Sequence, residues 1–222
     1  MEVLQRSKCI SLHEAMDAIK AHTFCIVRPK ETFSDCYIER INTLGPSNTS
    51  SHIAAMALIS AAGLDLDISL YRSFEQILDG TINSNGNALV IVPSAYSGID
   101  AFFMSPRTSL IGCFYHDTPP YHIAWRQGDS PLTTGKRLIV ATHPAPIGLL
   151  SRLLPGSISY DILSFHSTVA AAEAVMGGGA DIALCNLETI KFLKMEYMAL
   201  GVPINMTWNI FILKPFYPET FA

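Results

Sequence analysis

The chain has 222 residues, of which 49% are hydrophobic and 15% charged, with a formal net charge of −4. That is ample for one sizeable core or two small lobes, whereas an acidic balance with no long run of Lys and Arg argues against a nucleic-acid partner. Mean hydropathy is high at +0.29, yet no segment approaches the roughly 18 uninterrupted apolar residues of a membrane span.

Met1 to Ile10 carries Glu2, Arg6 and Lys8 without an apolar stretch, so a secretory signal is not expected there. The five cysteines are scattered and form no CxxC pair. Such usage fits a reducing, cytoplasmic compartment. The seven histidines show no metal-ligand spacing, and no metal site is expected.

Residues 1–35 read as a helical appendage. Ser11 and Glu14 have capping-box spacing, and Leu12, Ala15, Met16 and Ile19 recur at helical intervals. From residue 36 strands and helices alternate. Cys36–Asn42 is a strand, and Ser50–Ala62 a helix with Ile53, Ala54, Ala57, Leu58 and Ala61 on its inner face. Ile68–Tyr71 is a short strand, and Phe74, Ile77, Leu78 and Ile82 mark a second helix. Ala88–Val92 is a fully apolar strand, as expected for the buried centre of a parallel sheet. Ser109–Tyr115 and Tyr121–Trp125 read as strands crossing between lobes.

Leu138–Ala141 opens a second series. It continues with a helix near Ile147–Leu154, a strand near Ile158–Leu163, a helix from Ser167 to Met176, a strand at Ile182–Cys185 and a helix at Leu187–Met195. Ile204–Leu213 returns as the last strand. This is an α/β pattern, with mostly parallel sheets covered on both faces. The expected organisation is lobe I from 36–118 plus 196–222 and lobe II from 119–195.

Ligands of such folds bind at the carboxyl ends of strands, so the turns there are the candidates. Thr43 to Ser51 contains Asn48, Thr49, Ser50 and Ser51 ahead of a helix, more hydroxyls than one cap requires and a ready anion site. Ser167 and Thr168 open a second, alanine-rich helix in the same way, as a cap or as donors for a second carboxylate. Tyr96 and Ser97 follow the most buried strand, where Tyr96 is a general acid or a rim aromatic. His143 follows another strand and is a structural residue or a proton shuttle. Asn186 and Thr207 occupy later strand ends.

These turns, in this order, resemble those of prephenate dehydratases. That family carries Gly-Pro-x-Gly-Thr-Tyr/Phe-Ser, Val-Pro-x-Glu-Asn-Ser-x-x-Gly, Ser-Thr-Ala and Thr-Arg-Phe motifs, matched here by Gly45–Ser50, Val92–Gly98, Ser167–Ala170 and Met206–Asn209. Asn48-Thr49 replaces Gly-Thr, Ala95-Tyr96 replaces Glu-Asn, and Thr207-Trp208-Asn209 lacks the carboxylate-binding Arg. The chain is more similar to the prephenate decarboxylases of bacilysin-type, aeruginosin and salinosporamide pathways. That likeness rests on Asn42 to Pro46, Ala95-Tyr96, Asp117 to Pro119, His143-Pro144 with Pro146, and Asp181 to Leu184 with Asn186.

The resemblance implies a two-lobed, type II periplasmic-binding-protein-like fold without an ACT domain. It also implies a cofactor-free lyase, working as a homodimer in natural-product biosynthesis. The reaction implied is decarboxylation of prephenate to a dihydro-4-hydroxyphenylpyruvate, because the substrate's own diene accepts the electrons. His143 and Tyr96 are then the candidate proton donors, and Asn48, Thr49, Ser50, Ser51, Ser97, Ser167, Thr168, Asn186 and Thr207 the candidate substrate ligands. The alternatives are a dehydratase using Thr207 to form phenylpyruvate, or a non-catalytic protein that binds a small acid.

Overall fold

A computed structural model describes residues 9–21, 25–79 and 87–214 of the chain. In order, the first elements are β1 (Ile10–Ser11), α1 (Leu12–Lys20), β2 (Cys25–Val27), β3 (Tyr37–Leu44), α2 (Ser50–Ala62), β4 (Asp67–Tyr71), α3 (Phe74–Asp79), β5 (Asn87–Pro93), α4 (Asp100–Met104) and β6 (Thr108–Tyr115). Then come β7 (Tyr121–Trp125), β8 (Leu138–Thr142), α5 (Leu150–Leu153), β9 (Tyr160–Ser164), α6 (Thr168–Met176), β10 (Ile182–Asn186), α7 (Leu187–Leu193) and β11 (Glu196–Tyr197), before β12 (Thr207–Leu213).

The chain divides into two units. Described residues of unit 1 fall within 9–44, 51–116 and 206–214; unit 2 comprises Gly45–Ser50 and Asp117–Asn205. The segment 196–205, expected with the first lobe, therefore groups with unit 2.

Unit 1 is built on a sheet in the order β1-β3-β5-β12-β6-β2, with β4 also beside β3. β3 pairs in parallel with β4 and β5, but β12 is antiparallel to both β5 and β6. The sheet is mixed rather than mostly parallel, because β12 enters from the opposite end after the excursion through unit 2. Its side chains alternate as a strand must. Trp208, Ile210 and Ile212 join one core with α1 and α2, whereas Phe211 and Leu213 join another with α3 and α4. β5 divides likewise, Leu89 and Ile91 to one side and Val90 and Val92 to the other. Burial on both faces explains why these strands read as continuous apolar runs.

The N-terminal helix belongs to this core. Leu12, Ala15, Met16 and Ile19 are buried within it. The reciprocal Ser11–Glu14 capping box closes the helix start. α2 begins and ends where the sequence indicates, stopped by Gly63 at φ +61°, a conformation that costs glycine little. Its buried residues are Ser51, Ala54, Ala55, Leu58 and Ala62, so Ile53, Ala57 and Ala61 do not form the innermost face.

Unit 2 has the sheet order β11-β7-β10-β8-β9, parallel at β10/β8 and β8/β9 and antiparallel at β7. β6 and β7 thus lie each within one unit's sheet rather than crossing between them. One face of this sheet packs Ile182 and Leu184 against α5; the other packs Ala183 and Cys185 against Ala171 and Ala172 of α6. Alanine at those positions lets the helix backbone approach the sheet closely. Among the described residues no helix is long and apolar enough to cross a membrane.

Candidate active site

In unit 2 the candidate groups lie at the carboxyl ends of β8, β9 and β10 and in the turn that precedes α2. Asn48 has φ +70°, the left-handed region that short polar side chains tolerate and where the dehydratase motif has glycine. Its carbonyl accepts hydrogen bonds from Asn186 Nδ2 at 3.0 Å and Thr189 Oγ1 at 3.5 Å. Asn186 Oδ1 meanwhile accepts from the Thr189 backbone N–H at 2.9 Å and caps α7. Both ends of this fully buried amide are therefore committed within the protein.

Ser50 Oγ lies 3.0 Å from the Tyr121 hydroxyl, and burial pushes the pKa of that phenol up. Thr49 is buried. Ser167 Oγ accepts from the Ala170 N–H at 3.0 Å, which makes it the N-cap of α6. Ser167 thus satisfies one of the orphan donors in the first turn. Thr168 is buried beside it.

His143 follows β8 and is half-buried. Its Nδ1 lies 3.1 Å from the Ala145 backbone nitrogen. A backbone N–H can only donate, so Nδ1 accepts, and the neutral ring carries its proton on Nε2. Burial, and then the neighbouring His166, hold its pKa below the usual value.

In unit 1 the turn after β5 is folded around Tyr96. Its hydroxyl donates to the Glu75 carboxylate, and its ring packs at a tilt against Phe74 with centroids 4.6 Å apart. Burial first, and then the hydrogen bond to Glu75, push the phenol pKa far up, while Tyr96 holds the Glu75 carboxyl below its ordinary range. Gly98 makes the arrangement possible. A Cβ there would stand 2.7 Å from Tyr96 Oη. Ser97 is exposed in the same turn, and Ser51 is buried at the start of α2. Thr207 Oγ1 lies 2.7 Å from Ser94 Oγ, to which Asn209 Nδ2 donates at 3.0 Å.

Sequence reasoning passed over Glu75, Ser94, Tyr121, His166 and Asn209. Asn209 alone left a signal, as a polar residue inside the apolar run of β12. Tyr121 meets Ser50 across 71 positions, a pairing that no local pattern announces. Among the described residues no group of three or more His, Cys, Asp or Glu could hold a metal ion.

No family model matches the chain. Curated relatives do. A prephenate decarboxylase of Bacillus subtilis is 35% identical over 179 residues, covering 77% of this chain and 85% of the relative. The prephenate decarboxylase of Planktothrix agardhii is 33% identical, covering 77% and 86%. The chain belongs to the prephenate decarboxylase family. Among solved structures, a prephenate dehydratase from Arthrobacter aurescens superposes with a TM-score of 0.59 at 18% identity over 82% of this chain. The chain spans 63% of that dehydratase's length, and the likeness is one of fold. A second neighbour, the quorum-quenching acylase GqqA, gives 0.52 at 18% identity over 82% of this chain. The decarboxylase family thus shares with prephenate dehydratase a mixed α/β fold built on two sheets.

Proposed function

We propose that the chain decarboxylates prephenate without aromatising it, giving a dihydro-4-hydroxyphenylpyruvate for natural-product biosynthesis of the bacilysin type. The observation that carries this reading is the 35% identity to a prephenate decarboxylase over 77% of the chain. The bond from the ring to its carboxylate breaks and CO₂ leaves. The electron pair enters the ring diene, a ring carbon takes up one proton, and the ring hydroxyl stays. The diene is the electron sink, so the chemistry calls for no cofactor.

The enzyme's task is to hold the carboxylates and deliver that proton. The first turn of α6, at Ser167 and Thr168, receives a carboxylate. A helix N-terminus contributes about 0.3–1 kcal/mol to a nearby anion, and up to ~2 kcal/mol when partly buried. The first turn of α2, with Asn48, Thr49, Ser50 and Ser51, has the same character, and Ser97 and Thr207 add hydroxyl donors. Asn186 acts by fixing the Asn48 carbonyl.

His143 is the proposed proton donor through its Nε2–H, although its lowered pKa makes the charged ring the minority form near neutral pH, and Tyr96 is an aromatic wall. The Tyr96 proton is held by Glu75 and its pKa is raised, which makes it a weak acid. General acid catalysis contributes about 10²- to 10⁴-fold. His143→Gln is therefore expected to lower kcat by about 100-fold or more, and Tyr96→Phe mainly to raise KM. CO₂ release with mass analysis of the product tests both steps. Phenylpyruvate as the main enzymatic product would overturn the decarboxylase reading. Full turnover by His143→Gln would pass the proton to solvent or to a hydroxyl.

The five cysteines are all free, which suits a reducing cytoplasm. We also propose a homodimer. β9 stands at the edge of its sheet with Ile162 and Leu163 exposed, an edge suited to pairing. Sedimentation at twice the chain mass of 24.3 kDa is the expected result, and a monomer overturns it.

A further inference from the structure

Asn209 is buried in a strand whose neighbours, Trp208 and Ile210 to Leu213, are all apolar. Its amide orientation is decided by the Val92 carbonyl, 3.4 Å away. A carbonyl oxygen only accepts, so the amide atom facing it is Nδ2. The same nitrogen stands 3.0 Å from Ser94 Oγ, and there it donates. Ser94 Oγ in turn lies 2.7 Å from Thr207 Oγ1. The Ser94 N–H donates to the Thr207 carbonyl at 2.9 Å, which locks the two backbones together.

The two hydroxyls own two protons. One lies in the bond between them. Among the described residues the other meets no acceptor toward Asn209, because an N–H already occupies the lone pair of Ser94 Oγ on that side. We infer that Asn209 is a positioning residue, which forces the Ser94–Thr207 pair to direct its surplus proton outward as a donor to an anionic oxygen of the keto-acid substrate. Both hydroxyl-bearing residues are exposed at the carboxyl end of β5, where such an oxygen can reach them. Donation from Asn209 also polarises the pair, since hydrogen bonds in a chain strengthen one another. Ser94 thereby becomes a substrate-contacting residue alongside Thr207. The substrate's identity rests on the decarboxylase reading; the direction of the protons does not.

Asn209→Asp tests the direction. A carboxylate at that position accepts, draws the Ser94 proton inward and the Thr207 proton after it, and leaves lone pairs facing the substrate. A hydrogen bond to a charged group then becomes a repulsion, so KM for prephenate is expected to rise about 10- to 100-fold with a smaller change in kcat. The double variant Ser94→Ala with Thr207→Val, which removes both hydroxyls without placing a charge in the core, is expected to raise KM by about tenfold or more. An unchanged KM in that double variant, or in Asn209→Asp with wild-type circular dichroism, overturns the role toward substrate. Neutron diffraction of the wild-type protein in deuterated solvent reads the arrangement directly. One deuteron between the two oxygens and one pointing outward supports it, and a deuteron pointing from Ser94 to Asn209 overturns it. A wild-type enzyme that releases no CO₂ from prephenate would sink the decarboxylase reading, while the neutron map still decides the proton arrangement.

Discussion

His143 and His52 are both held below the ordinary histidine pKa of 6.5, His143 by burial and then by His166, His52 by burial alone. The unfolded chain therefore binds protons that the folded chain refuses. Stability rises with pH wherever the unfolded state holds more protons. The contribution of these two residues is complete above pH 6.5 and is lost as pH falls toward their lower folded values. Glu75, held low by Tyr96, and Asp161, held low by Arg137, titrate below 4.5 and leave this window clear. The melting temperature is expected to drop from about pH 7.5 to about pH 5.5, and to drop less in a variant with His52→Gln and His143→Gln. An equal slope in that variant would assign the pH dependence to other groups. The sequence marked His143 as a strand-end residue. Its tautomer came from the Ala145 N–H, a contact that depends on how the Pro144–Pro146 turn is folded.

At the scale of elements, caps separate local from long-range stabilisation. Ser167 closes α6 using a donor three residues away, whereas Asn186 closes α7 and also ties the Asn48 carbonyl across 138 positions. Ser167→Ala should cost about 1 kcal/mol. Asn186→Ala should cost more, about 2–4 kcal/mol, because it removes a cap and strands a second partner in a buried site. Urea unfolding followed by circular dichroism checks the order, and an equal loss in both variants would mean that the Asn48 tie contributes nothing. The span of α2 was legible from its hydroxyl start and glycine stop, but its inner face was not. The helix is apolar almost all round, so periodicity cannot choose between Ile53 and Ala55. β1, β2 and β11 span two or three residues each, too short for any alternation to show.

For the whole molecule the decisive feature is β12. Residues 207–213 lie between β5 and β6, which do not pair with each other. Trp208, Ile210 and Ile212 serve one core of unit 1, and Phe211 and Leu213 the other. Unit 1 thus cannot close its sheet until the chain has passed through unit 2 and returned. A chain ending at Asn205 is expected to lose the near-ultraviolet circular dichroism and cooperative melting of unit 1. A cooperative transition with native-like aromatic signals from Trp125 and the tyrosines of both units would show that β5 and β6 can pair without it.

What the residues determined by themselves was whatever local chemistry can specify: the capping box at Ser11, the limits of α2, the apolar runs of β5 and β12, and the hydroxyl-rich turns whose order resembles the prephenate dehydratases. Each depends on neighbours within a few positions, where propensity, capping and burial leave a pattern. What only the tertiary structure decided was partnership. Which way β12 runs, that Tyr96 gives its proton to Glu75, that Ser50 meets Tyr121, and that Asn209 orients Ser94 and Thr207 all join residues far apart in the chain. A hydrogen bond between distant groups leaves no trace in either one's local sequence, because its geometry exists only once the sheet has brought them together.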